Sequence, residues 1–64
     1  MTYLILRKHP DKKDFWEIFV SDDNKNTIHL RTIGPYNDTE AKEYLEGLQY
    51  IIGDETKNLF KESI

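Results

Sequence analysis

Thr32-Ile33-Gly34-Pro35-Tyr36-Asn37-Asp38-Thr39-Glu40-Ala41 divides the chain into an extended half and a helical half. Gly34-Pro35 ends a β-rich run, because proline offers no ladder donor and glycine weakens a strand. Asn37 is a good helix N-cap, and Glu40 three residues on can reach back to close a capping box. Asp38 and Glu40 also suit the positive end of a helix dipole. From there Ala41, Tyr44, Leu45, Leu48, Ile51 and Ile52 recur at helical spacing as one apolar stripe, with Glu43, Glu46 and Tyr50 opposite. Gly53 is a suitable C-cap. Gly47, costly inside a helix, lies at the flank of the stripe, where close approach to a sheet would account for it.

Working back toward the N-terminus, three β-rich runs cover about 3–9, 15–21 and 27–33. Pro10 to Asp14 and Asp22 to Asn26 are polar turns between them. Short sequential strands with short loops pair as an antiparallel meander. The predicted fold is α+β: a three-stranded antiparallel meander packed on one helix over about 38–52, in a single domain of residues 1–64. After Asp54 as a second cap, Thr56, Leu59, Phe60 and Ile64 continue an i, i+3, i+4 pattern, so the tail, about 55–62, reads as a short helical segment.

Alternation divides the strand residues between two faces. Leu4, Leu6, Trp16, Ile18, Val20, Ile28 and Leu30 form a wholly apolar set that belongs under the helix. Tyr3, Ile5, Arg7, His9, Phe15, Glu17, Phe19, His29, Arg31 and Ile33 fall on the other, open face. A mixed aromatic, basic and aliphatic face left uncovered is an interaction surface. Tyr3, Arg7, His9, Phe15, Glu17, Phe19, His29 and Arg31 are therefore the binding candidates on the sheet, for a protein or a nucleic acid. Glu43, Glu46 and Tyr50 are the candidates on the acidic helix face.

The 64 residues carry a net charge of −3, with the surplus in the second half. Residues 34–64 hold seven acidic side chains against three basic, so the helix side is acidic and the sheet side near neutral. That balance disfavours a chain whose main task is to hold phosphate backbones. No cysteine is present, which removes a disulfide framework, a thiolate nucleophile and a Cys-ligated zinc. The apolar run Met1 to Leu6 lacks the features of a signal peptide, and no window approaches the ~20 apolar residues of a membrane span. A cytoplasmic location without membrane attachment is expected.

No catalytic constellation is legible. His9 and His29, with Asp11 or Asp14, have the wrong spacing for a metal motif. Asp22, Asn24 and Asn26 imitate the start of an EF-hand loop, but Thr27 stands where the glycine belongs and Ile33 where the closing glutamate belongs. Neither an enzyme, nor a metal, nor a cofactor is expected. Arg7, His9, His29 and Arg31 interleaved with Tyr3, Phe15 and Phe19 follow a device of sheet faces that bind nucleic acid.

Trp16-Glu17-Ile18-Phe19-Val20-Ser21-Asp22, then Thr32-Ile33-Gly34, then Thr39-Glu40-Ala41 with Leu45 and Leu48, resembles the arm-type DNA-binding domain of tyrosine recombinases (integrases). The resemblance covers about half the chain. It implies a three-stranded sheet face entering the major groove, with Arg7, Glu17, Phe19, His29 and Arg31 on it; that family's domain is strongly basic, and this chain is acidic. Gly34-Pro35-Tyr36 before a capped Glu-Ala helix is also similar to a segment of SPOR peptidoglycan-binding domains, which carry a further strand after such a helix. In size and acidity the chain resembles small phage or mobile-element proteins that inhibit a host enzyme. The expected function is a non-enzymatic module that binds a macromolecule, first a protein, through the open sheet face or the acidic helix. The alternatives are a DNA-binding module using the sheet face and a homodimer stacked through it.

Overall fold

The computed structural model describes residues 2–23, 25–53 and 55–61, with only the backbone of Lys61. The expectations for Asn24, Asp54 and the end of the tail from Glu62 to Ile64 lie outside the described residues. The described elements are β1 (Thr2–Lys8), β2 (Trp16–Ser21), β3 (Ile28–Ile33), α1 (Asp38–Ile52) and β4 (Thr56–Lys61). They form one mixed sheet in the order β3-β2-β1-β4, with α1 on one side. The α+β class, the antiparallel β1-β2-β3 meander and the helix agree with the expectation.

The tail does not. Residues 56–61 form a strand parallel to β1, with Thr2 opposite Thr56 and Ile5 opposite Leu59. The reason lies in β1. Tyr3-Leu4-Ile5-Leu6 is apolar on both faces, as in a central strand covered above and below, and such a strand pairs along both edges. A three-stranded meander leaves one edge of β1 bare, and β4 closes it after a helical crossover.

The core is Leu4, Leu6, Trp16, Ile18, Ile33, Ala41 and Leu45, with Val20, Tyr36, Tyr44 and Leu48 packed against it. Trp16 is buried under the helix side as the alternation predicts, and its indole Nε1 donates to the Tyr36 carbonyl at 3.1 Å. β3 departs from the alternation. Trp16 faces Ile33 and Ile18 faces Arg31, but Phe19 already faces His29, so Leu30 is an extra residue. One inserted residue reverses the face of everything beyond it. Ile33 is therefore in the core and Arg31 on the helix side, both opposite to expectation. Ile28 and Leu30, expected in the core, are 70% and 42% exposed.

The capping box forms as predicted: the Glu40 backbone N–H donates to Asn37 Oδ1 at 2.8 Å and the Asn37 N–H donates to Glu40 Oε1 at 3.0 Å. Gly53 caps the other end, its N–H donating to the Gln49 carbonyl. Gln49 Nε2 also donates to the Thr56 carbonyl, and Asn58 Nδ2 to Gln49 Oε1, which ties the end of α1 to β4. The helical stripe is broader than the contact it makes: Ile51 and Ile52, expected in the core, are 82% and 48% exposed.

Gly34 enters the turn at φ +141°, and a Cβ there would lie 2.8 Å from the Asp14 carbonyl oxygen and 2.9 Å from the Phe15 ring. Gly34→Ala is expected to lower the unfolding free energy by more than about 1 kcal/mol, read from the urea midpoint. Leu45→Ala, at a fully buried position, is expected to cost about 2–5 kcal/mol by the same measurement. An unchanged midpoint for either variant contradicts the packing described.

Candidate functional site

On the open side of the sheet, four of the predicted residues come together. Glu17 lies between Arg7 and His29, with Oε1 3.7 Å from Arg7 Nη2 and Oε2 3.7 Å from His29 Nε2. The Arg7 guanidinium sits 4.6 Å above the Phe19 ring, and Phe19 meets His29 edge-on at 5.4 Å. His29 Nε2 is also 3.2 Å from Thr32 Oγ1. Ile5, paired in register with Phe19 and Leu59, is only 3% exposed beneath this layer. The open face is thus more closed than a bare sheet, and Arg7 already faces a carboxylate.

The other candidates are scattered. His9 Nδ1 accepts the backbone N–H groups of Asp11 and Lys12, each at 3.0 Å, so its ring holds the first turn. Phe15 is half-buried beside Gly34, with Lys12 Nζ 5.5 Å above its ring. Tyr3 is half-buried opposite Ser21 and Lys57. Arg31 lies on the helix side and donates to the Tyr44 hydroxyl. Glu43, Glu46 and Tyr50 are exposed as predicted, Tyr50 by 93%.

The helix side holds a feature that alternation alone does not reveal. α1 packs on β4 and β1, where Lys42 Nζ sits 5.4 Å above the Phe60 ring. Beside it, toward β3, Arg31, Tyr44, Gly47, Leu48 and Ile51 line a groove of about 300 Å³. A second hollow of about 240 Å³, lined by Val20, Ser21, Asp22, Asp23, Asn26 and Ile28, lies at the other end of β2 and β3. Gly47 is not a close-approach glycine, because a Cβ there would meet nothing within 4 Å. Its roughly 1 kcal/mol helical cost relative to alanine has no compensation inside the chain. The signal for this groove was the width of the stripe: Tyr44 and Ile51 stand about 100° round the helix from Leu45 and Ile52.

The turn beside the second hollow is held by Asp23. Its carboxylate accepts from the N–H groups of Asn26 and Lys25 at 3.0 and 2.9 Å and from Ser21 Oγ at 3.2 Å. The backbone donors of Asn26 and then Lys25 hold the Asp23 carboxyl below its ordinary value of 3.8. Among the described residues, no three His, Cys, Asp or Glu side chains gather as a metal site, and no helix is long and apolar enough to cross a membrane. No family model matches the chain, and no curated protein or solved structure is significantly similar to it.

A carboxyl whose folded pKa is depressed stabilises the fold above its unfolded pKa, and that contribution disappears as pH falls through the folded value. The stability gap between the wild type and Asp23→Asn is therefore expected to be constant at neutral pH and to close below pH 3.8. A gap that does not change with pH in denaturant titrations contradicts the turn geometry.

Proposed function

We propose that the chain is a non-enzymatic module that binds a protein partner on the helix side of β2 and β3, across the groove beside Gly47. The observation that carries this reading is the exposure of large apolar side chains along this side of the sheet: Ile51 at 82% on the groove, Ile28 at 70% on the second hollow, and Leu30 at 42% between them on β3. Burying one such side chain contributes about 1.5–3 kcal/mol, so a few of them make a usable contact. The acidic outer surface of α1, with Glu43 and Tyr50, borders the same region.

The open face offers less. Arg7 and His29 share Glu17, and Arg31 is on the far side of the sheet, so the basic set behind the nucleic-acid reading is divided. The same division weakens the tyrosine-recombinase resemblance, which needs those residues on one face.

The test compares proteins retained from native-host extract by immobilised wild type, Ile51→Asp and Arg7→Ala. A protein retained by wild type and Arg7→Ala but lost with Ile51→Asp is the expected result. Loss with Arg7→Ala alone moves the site to the open face. Duplex DNA shifted at low salt, and released by Arg7→Ala, replaces the protein-binding reading with the nucleic-acid one.

A further inference from the structure

Resting on that reading, the geometry of the sheet also constrains the shape of the partner. The four strands stand about 4.8 Å apart, so the outer strand axes are roughly 14 Å from one another. A helix with its side chains is about 10 Å wide. α1 rests on β4 and β1, and it is the only helix among the described residues. The sheet is therefore wider than α1 covers: beyond the buried Trp16, Ile18 and Ile33, the helix side toward the β3 edge keeps the groove of Arg31, Tyr44, Gly47 and Ile51, with Val20 and Ile28 lining the second hollow farther along.

Two further observations narrow the occupant. The bulge at Leu30 breaks the regular spacing of donors and acceptors along β3, the edge a partner strand would need. Strand addition is thus disfavoured against a helix laid in the groove. The charge around the groove is acidic: Glu40 and Glu43 flank Gly47 on α1 at helical spacing, and Asp22 and Asp23 line the far hollow. Against these stands Arg31, engaged by the Tyr44 hydroxyl.

We infer that the groove receives an amphipathic helix with an apolar stripe flanked by lysine or arginine, lying beside α1 with one apolar side chain seated over Gly47. Helices pack at 8–10 Å between axes, and a residue without a side chain at the contact permits the near end of that range. The open space over Gly47 is then occupied in the complex, which accounts for a glycine that nothing within the chain requires.

The probes are three synthetic peptides of about 15 residues. One is of leucine and lysine with leucines at helical spacing, one has the same composition in strict alternation, and one replaces lysine by glutamate in the helical pattern. Amide NMR spectra of the intact chain report where each binds. The helical leucine–lysine peptide is expected to shift Ile28, Gly47 and Ile51 while leaving Arg7 and Phe19 in place, and to outbind both others. Gly47→Leu is expected to weaken that binding at least about tenfold. The same substitution is expected to raise the urea midpoint, because leucine is the better helix former and the site is open. Equal binding of the alternating or the glutamate peptide overturns the inference, as does wild-type affinity in Gly47→Leu. Shifts at Ile28 and Ile51 on simple dilution of the free chain make the occupant a second copy and also overturn it. If no peptide binds but Ile51→Asp still loses a captured protein, the helical partner is wrong and the groove stands; shifts confined to Arg7 and Phe19 end both.

Discussion

β1 is paired along both edges, and the chain is arranged around that pairing. Its antiparallel neighbour β2 arrives through a short turn, but its parallel neighbour β4 requires a crossover. α1 is that crossover, and the place where it must end fixes where it lies. Gln49 bonds to Thr56 and Asn58 at the start of β4, so the last turn of the helix is held over the β4 side of the sheet. Leu4, Leu6 and Leu45 are sealed by this arrangement, and Leu4 and Leu45 lose all contact with solvent.

The consequence is asymmetry. A helix that starts over Ile33 and must finish at β4 leaves the other end of β3 uncovered, and the stripe it carries is wider than the strands beneath it. Tyr44 and Ile51 therefore border a groove beside Arg31 that α1 leaves open. In a chain this small, which buries only about 60% of its unfolded surface, leaving Ile28 and Ile51 in water has a real stability cost. The open face shows the opposite economy: Glu17 sits between Arg7 and His29, and Ile5 is hidden beneath their layer.

The capped helix, the three-strand meander and the Arg7, Glu17, Phe19 and His29 group were legible because each rests on local rules. Asn37 and Glu40 are three apart, and residues two apart share a strand face. Two features were not local. In the run 27–33 the apolar positions change parity between Leu30 and Ile33, across the polar pair Arg31-Thr32, but that change does not by itself mark Leu30 as an extra residue. The bulge is visible only against β2, and it decides the faces of Arg31 and Ile33. The tail was the second. Thr56, Leu59 and Phe60 fit a helical period, and Asn58 breaks the apolar alternation of a strand. What makes the segment extended is the vacant edge of β1, whose double-sided apolar run was the overlooked sign.

The bulge and Gly47 bear on each other. Without the extra residue at Leu30, Arg31 would point to the open face and Leu30 would point toward α1, filling the groove from below with an aliphatic side chain. With it, the floor carries Arg31, held down by the Tyr44 hydroxyl, while Ile28 stands uncovered farther along. Above the same groove α1 has a glycine where any side chain would extend into open space. Two independent local departures, one in a strand and one in a helix, thus clear the same volume. Each alone weakens its own element, the strand through a broken ladder and the helix through lost propensity. Their coincidence on one groove is why the vacancy is better read as a seat than as a packing defect.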